Sequence, residues 1–135
     1  MSNTSSFAVE RHPTPVAASE RATLLENPGF GQLFTDHMVT MRWSEDAGWH
    51  DGKVSARKPI EMDPATAVLH YAQEIFEGMK AYRFGEGGSA LFRPDRNAAR
   101  FRSSARRLAM PELPDELFLE AIELLKTKTI CAVFK

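Results

Sequence analysis

The second half of the chain carries two helical patterns, and each has an apolar stripe that needs a surface to pack on. In the first pattern, the stripe consists of Ala98, Phe101, Ala105 and Leu108. In the second pattern, which follows Pro114-Asp115, the stripe consists of Leu117, Ala121 and Leu124. Apolar residues that recur every three or four positions are typical of amphipathic helices with one buried face. Another layer of the fold is therefore expected to cover these two helices.

The first half of the chain carries the signals of short β-strands. Residues 37–43 alternate in polarity and contain β-forming side chains, so they are predicted to form a strand. Asp51-Gly52 lies between two such runs and predicts a type I′ hairpin turn, because this dipeptide accepts positive φ at both central positions. Two further short strands are predicted over residues 79–84 and 90–94, joined by the glycine-rich loop 85–89.

A short helix is predicted between these strands, over residues 65–72. Asp63-Pro64 marks its start, since aspartate caps free amide groups and proline suits the first helical position. Strands that precede helices favour an α+β fold, here an antiparallel sheet with helices packed on one face. Residues 1–23 are rich in Ser, Thr, Ala and Pro and are interpreted as a flexible arm. The folded domain is expected to span residues 24–125.

Composition narrows the classes of partner. The formal net charge of −1 provides no field that favours nucleic acid or a membrane surface, so neither is expected as a partner. No apolar run approaches the roughly 20 residues that a membrane helix needs. The one cysteine, Cys131, excludes a disulfide framework within the chain and fits a reducing compartment, so the expected location is the cytoplasm. The four histidines lack the spacing of metal ligands, and no metal site is predicted.

Arginines are concentrated on the first of the two helices. Between Arg93 and Arg107 there are six arginines and one acid, Asp95. Arg100 flanks the apolar stripe, so its stem can be covered while its planar fork reaches a phosphate or carboxylate in a cleft. Two other interpretations stay open at this point. The run can be a solvated basic face, or a patch for nucleic acid, although no base-stacking module accompanies it.

The segment before this helix combines aromatic and acidic side chains. Tyr71 and Phe76 can belong to the core or form the wall of a pocket. Gly78 can permit a turn or let a ligand approach the backbone closely. Glu74 and Glu77 lie three residues apart and are interpreted as surface acids.

Two stretches, read together, resemble the branched-chain amino acid aminotransferases, which are pyridoxal-phosphate enzymes of the fold-type IV group. They are "HYAQEIFEGMKAYR" and, in the same order and spacing, "LFRPDRNAARFRSSARRLAMP". The earlier words "GFGQLFTDHMVTMRW" and "GWHDGKV" are similar to the opening strands of that family. The resemblance covers residues 24–125 and implies the small N-terminal domain of such an enzyme.

The resemblance also implies roles for individual residues. It assigns Arg100 to the cofactor phosphate, and it assigns Phe30, Tyr71 and Phe76 to the hydrophobic pocket for the substrate side chain. The tyrosine is expected to reach the neighbouring subunit's site across a homodimer interface. Pyridoxal 5′-phosphate is the implied cofactor, and branched-chain amino acids and 2-oxo acids are the implied substrates. A hydrophobic pocket suits leucine, isoleucine and valine but separates the three poorly.

The family transfers the amino group to 2-oxoglutarate by ping-pong chemistry, with a lysine that the resemblance places in a later domain. No lysine of this chain takes that role, so the resemblance implies a truncated N-terminal part that is inactive alone and has no catalytic residue of its own. Residues 126–135 depart from the family as a divergent tail, of the kind that a frameshift produces. The alternative is a non-catalytic standalone domain that dimerises or binds a partner or an anion.

Overall fold

The computed structural model of the chain describes residues 6–85 and 88–128. In chain order, its elements are β1 (Phe7–Val9), α1 (Ala18–Leu24), β2 (His37–Ser44), β3 (Gly48–Ala56), α2 (Ala67–Tyr71), β4 (Ala81–Phe84), β5 (Gly88–Leu91), α3 (Pro94–Arg107) and α4 (Asp115–Lys128). This arrangement confirms the predicted α+β class. The strand at 37–43 and the two amphipathic helices form where the sequence predicts them, whereas β5 begins two residues early, inside the predicted loop 85–89, and ends at Leu91.

The strands form two small sheets. One sheet has the order β1-β3-β2, in which β2 and β3 are antiparallel and β1 joins the other edge of β3 in parallel. The second sheet consists of β4 and β5, which are antiparallel. The predicted antiparallel pairing is therefore present, and β1 adds a parallel strand that the sequence pattern did not indicate.

The predicted turn at Asp51-Gly52 is wrong, although the antiparallel hairpin itself exists. Both residues lie inside β3, and the chain reverses between Ser44 and Gly48 instead. The pairing register shifts between Thr40 and Arg42, so Asp51-Gly52 faces a single residue of β2 as a β-bulge. Asp51 has φ 53°. The dipeptide thus supplies the positive φ that it favours, but the chain uses it to bulge a strand.

Gly52 has no room for a side chain. A Cβ atom at this position would lie 2.5 Å from the backbone oxygen of Ser6 and 2.8 Å from Cε of Met41. Contacts this short do not occur for real Cβ atoms, and one of the two neighbours is backbone. Glycine at the bulge therefore allows β1 to approach β3 closely.

The interpretation of residues 1–23 as a flexible arm stays a prediction, and within the described part these residues contribute β1 and most of α1. Phe7 is only 5% exposed, and β1 is hydrogen bonded in the sheet. The backbone N–H of Ser6 donates to Oε1 of Glu120 at 3.0 Å, and that of His12 donates to Nε2 of His37 at 2.9 Å. A buried aromatic side chain and these hydrogen bonds connect the start of the described part to the sheet and to α4.

The two long helices form one layer on the first sheet. α3 packs against α4, with the rings of Phe101 and Phe118 5.3 Å apart, and α4 contacts β2. Ala98 and Ala105 of the predicted stripe are buried between elements, and Val54 of β3 is fully buried. These contacts confirm an inward face for Ala98, Phe101 and Ala105, whereas Leu108, just after the end of α3, is 40% exposed.

Element boundaries differ slightly from the predictions. α2 begins two residues later than expected, because Oδ1 of Asp63 accepts the N–H of Ala65 at 2.7 Å in a turn that precedes the helix. α4 continues through residues 126–128, so the first part of the predicted divergent tail is helical. Residues 129–135 lie outside the described part, and the boundary at residue 125 stays a prediction. Within the described ranges, no helix is long and apolar enough to cross a membrane.

Candidate functional site

Arg100 forms a two-pronged ion pair with Glu77. Arg100 lies midway along α3, and Glu77 lies in the loop between α2 and β4. Nε of Arg100 donates to Oε2 of Glu77 at 2.8 Å, while Nη2 donates to Oε1. The guanidinium and carboxylate planes thus meet edge to edge, which is the strongest arrangement for this pair of groups.

The carboxylate of Glu77 is held by further donors. Nδ2 of Asn97 donates to Oε1 at 2.9 Å, and the backbone N–H of Gly78 donates to the same oxygen at 3.0 Å. The side chain of Glu77 is only 4% exposed. The hydrogen bonds from Arg100, followed by those from Asn97 and Gly78, outweigh the effect of burial and lower the pKa of Glu77 from 4.5 to about 2. Glu77 is therefore a buried, ionised residue above acidic pH.

Arg100, in contrast, is mostly exposed and lines two clefts. Its side chain is 67% exposed. The first cleft has a volume of about 400 Å³, and its other lining includes Lys80, Tyr82, Phe92, Arg93, Arg96 and Asn97. The second cleft has a volume of about 470 Å³, and its other lining consists of Ile75, Phe76, Ser103, Ser104, Arg107 and Leu108. One cleft is dominated by cations, and the other combines apolar side chains with hydroxyl groups.

The structure brings together two of the four site residues that the sequence singled out. Phe76 and Arg100 line the same cleft. Tyr71 is the last residue of α2, and Phe30 lies in a turn between Gly29 and Gly31; neither contributes to the two clefts beside Arg100. All three aromatic side chains are exposed, with Phe76 at 89% and Phe30 fully exposed. They are therefore available for contact with something outside the described residues.

Gly78 is explained by the aromatic ring beside it. A Cβ atom on Gly78 would lie 3.3 Å from Cζ of Phe76, so the ring lies close over the glycine. The carbonyl of Gly78 also accepts a hydrogen bond from Nδ2 of Asn97 at 3.2 Å. The loop is thus fixed to α3 on one side while it presents the ring of Phe76 on the other.

Other arginines of α3 are paired with acids near or on α4. Nε of Arg102 lies 3.0 Å from Oδ1 of Asp115, and Arg106 donates to both carboxylate oxygens of Glu112 at 2.7 and 2.8 Å. The bond from Arg106 lowers the pKa of the Glu112 carboxyl. Arg102 ties α3 to α4, and Arg106 ties α3 to the connection between them, so the basic run is neither a uniform solvated face nor a patch with all its charges free.

Sequence reasoning missed the roles of Glu77 and Asn97. Glu77 was interpreted as a surface acid because its partner lies 23 positions away along the chain. Asn97 lies three residues before Arg100, so both face the same side of α3. That spacing was the one signal that pointed to a shared site. Among the described residues, no group of three potential metal ligands lies together.

The fold and site define a small α+β domain with an exposed arginine, Arg100. The buried carboxylate of Glu77 holds this arginine in place, and the exposed ring of Phe76 lies in the same cleft. No family model matches the chain. Its sequence is 60% identical over 111 residues to a probable branched-chain-amino-acid aminotransferase of Streptomyces coelicolor, covering 82% of this chain and 31% of that protein. It is 52% identical over 116 residues to the branched-chain-amino-acid aminotransferase of Mycolicibacterium smegmatis, covering 86% of this chain and 32% of that protein.

A branched-chain-amino-acid transaminase of Bacillus subtilis is 48% identical over 94 residues, which are 70% of this chain and 26% of that protein. The resemblance of the motifs to the branched-chain-amino-acid aminotransferases is therefore confirmed by relatives of that name. It spans about a third of the length of the curated relatives that it matches.

Proposed function

We propose that this chain provides one wall of the active site of a branched-chain amino acid aminotransferase, which transfers the amino group of leucine, isoleucine or valine to 2-oxoglutarate. The observation that carries the proposal is the position of Arg100, an exposed guanidinium at the edge of a cleft that also holds Phe76. A cation beside an apolar surface suits a phosphorylated cofactor that works on aliphatic amino acids. The names of the relatives support the same reaction.

The proposed cofactor is pyridoxal 5′-phosphate, whose ring supplies an electron sink for chemistry at the α-carbon of an amino acid. The residues around Arg100 fit its phosphate. Two of the five N–H groups of the guanidinium are used by Glu77, and the other three can donate to an anion. Ser103 and Ser104 add hydroxyl donors in the same cleft, and Arg107 adds positive charge. We therefore assign the phosphate to the cleft that Arg100 shares with these residues.

The proposed substrate wall consists of Phe76, Tyr71 and Phe30. An aliphatic side chain that is buried against such rings gains roughly 1.5–3 kcal/mol from the loss of water contact. Phe76 is closest to this role in the structure, because it lines the cleft with Arg100. Tyr71 and Phe30 are exposed away from that cleft, and we propose that they act on a surface completed by a second subunit of a homodimer. The single cysteine fits the cytoplasm as the proposed location.

The second candidate function is a non-catalytic domain that dimerises or binds a partner or an anion. The wide exposure of Phe30, Tyr71 and Phe76 is the observation that favours an interface. A domain that only dimerises or binds a partner protein gives no reason for a phosphate to be recognised at Arg100, so that form of the second function predicts no preference for a phosphorylated ligand.

The test compares binding of pyridoxamine 5′-phosphate with binding of pyridoxamine, measured by isothermal titration calorimetry. Both ligands lack an aldehyde, so neither reacts with surface lysines. The proposed function predicts tighter binding of the phosphorylated ligand and loss of this preference in Arg100→Lys, which keeps the charge but removes the planar fork. Arg42→Lys, at an exposed position of β2, is the matched control and keeps the preference. Equal binding of both ligands by the unchanged chain refutes the assignment.

A further inference from the structure

We propose that Glu77 is a positioning residue that fixes the guanidinium of Arg100 and turns its outer edge toward the anionic group. The inference rests on the proposed function, which identifies that group as the cofactor phosphate. Glu77 is expected to act through Arg100 alone, because its own carboxylate is buried behind the arginine.

The inner edge of the guanidinium is fully engaged. Nε and Nη2 each donate to a different oxygen of Glu77. Two parallel bonds between planar groups remove rotation about the last bonds of the arginine, which a single contact does not achieve. An unrestrained arginine side chain samples many rotamers. Because the ion pair already restricts them, ligand binding costs less conformational entropy.

Glu77 is itself fixed from two sides. Nδ2 of Asn97 comes from α3, the helix that carries Arg100, and the N–H of Gly78 comes from the loop. The pair therefore spans two elements, and the position of the guanidinium is set relative to both. Since Asn97 and Arg100 are three residues apart on one helix, the carboxylate is clamped against a single rigid surface.

The outer edge of the guanidinium is free to act. Three N–H groups of Arg100 are not used by Glu77, and the side chain is 67% exposed at the border of both clefts. An anion that binds there meets donors whose direction is already set. This preorganisation is the property that distinguishes a positioned arginine from a mobile surface arginine.

A simpler role for Glu77, offsetting the charge of Arg100, predicts the opposite effect on binding. If the carboxylate only offsets charge, Glu77→Gln makes the site more positive and an anion binds more tightly. If the carboxylate positions the guanidinium, the same substitution weakens binding despite the gain in positive charge. Glu77→Asp keeps the charge but withdraws the carboxylate by one methylene, so positioning predicts weaker binding there too.

The experiment measures the affinities for pyridoxamine 5′-phosphate and pyridoxamine in the full chain and in Glu77→Gln, Glu77→Asp and Arg100→Lys. We expect both Glu77 variants to bind the phosphorylated ligand about fivefold more weakly, with no change for pyridoxamine, and Arg100→Lys to lose about tenfold or more. Unchanged or tighter binding in Glu77→Gln overturns the positioning role and leaves the phosphate site at Arg100 in place. Failure of the unchanged chain to distinguish the two ligands overturns both proposals.

Thermal unfolding of each variant separates loss of fold from loss of binding. If a Glu77 variant does not fold, Asn97→Ala provides the second test, because it keeps both charged groups and removes one bond that holds the carboxylate. Positioning predicts that this variant binds the phosphorylated ligand about two- to threefold more weakly. Unchanged affinity in a folded Asn97→Ala variant contradicts the proposal.

Discussion

The indole N–H of Trp49 donates a hydrogen bond to the backbone carbonyl of Glu112 at 2.9 Å. Trp49 lies on β3, and Glu112 lies in the connection between α3 and α4, so this single bond joins the sheet to the turn of the helical layer. Its donor and acceptor are 63 positions apart along the chain. The bond therefore reports directly on docking of the two layers.

Replacing Trp49 by phenylalanine keeps an aromatic ring and removes the donor. We expect a loss of about 1–2 kcal/mol in the free energy of unfolding, because the carbonyl of Glu112 loses its partner on docking. Urea-induced unfolding measures this change. Trp43→Phe is the matched control, since Trp43 lies directly opposite on β2 and is 46% exposed. Equal losses in the two variants would mean that ring size, rather than the bond to Glu112, accounts for the effect.

Gly52→Ala tests the close approach of β1 to the bulge. Its Cβ atom would lie 2.5 Å from a backbone oxygen of Ser6, so β1 must move away from β3. We expect a loss of about 1–3 kcal/mol, the usual cost of overpacking. Gly78→Ala is the control, because there the nearest atom is the end of the Phe76 ring at 3.3 Å, which can move. A cost for Gly52→Ala no greater than the cost for Gly78→Ala would contradict the predicted clash.

Val54 and Val9 face each other across the parallel pair and differ in burial. Val54 is fully buried, whereas Val9 is 40% exposed. Val54→Ala leaves a cavity, and we expect it to lower the free energy of unfolding by about 2 kcal/mol. Val9→Ala removes the same atoms from a partly solvent-exposed position and is expected to cost less than about 1 kcal/mol. Similar costs for the two substitutions would mean that β1 does not cover Val54 in solution.

Acid should weaken the contribution of Glu77 to the stability of the fold between pH 4.5 and about 2. The folded-state pKa of Glu77 is lowered from 4.5 to about 2, so the ion pair with Arg100 stabilises the fold fully above pH 4.5. That contribution declines as the pH falls toward 2, where the folded state also takes up the proton. Near neutral pH, Glu77→Gln should cost about 1.5–3 kcal/mol, toward the lower end because the guanidinium is largely exposed.

The measurement is the free energy of unfolding of the unchanged chain and of Glu77→Gln at several pH values between about 2 and 7. The difference between them should shrink steadily below pH 4.5. Glu74→Gln is the matched control, as Glu74 is an exposed acid on the same loop. A difference for Glu77→Gln that stays constant with pH would show that the carboxylate contributes through shape rather than charge.

Local patterns predicted the elements whose signals lie within a few residues. The stripe that contains Ala98 and Ala105 predicts α3 and its buried face, because helical periodicity requires no knowledge of the partner. Asp51-Gly52 shows the limit of this reasoning. The dipeptide indicates positive φ, which both a turn and a bulge require. Only the pairing register with β2 shows which of the two structures forms.

Features that depend on residues far away along the chain could not be predicted from the sequence. Glu77 looked like a surface acid, because its character comes from Arg100 and Asn97, which the fold delivers from another element. β1 has three residues, too few for a strand pattern, and its ordering depends on Gly52, which lies 45 positions after Phe7 in the pairing register. The exposure of Arg100 beside a cleft could be predicted, because it follows from the position of this residue at the border of the stripe on one helix.

The parallel pairing of β1 also has a consequence for self-association. β3 is nine residues long, and β1 occupies its outer edge from Gly52 to Val54, where Lys53 additionally pairs with Glu10 at 2.8 Å. An uncovered edge of this kind offers free N–H and C=O groups to a strand of another molecule. The short N-terminal strand thus occupies hydrogen-bonding groups at this edge, and we expect proteolytic trimming past Val9 to promote association between molecules through the edge of β3.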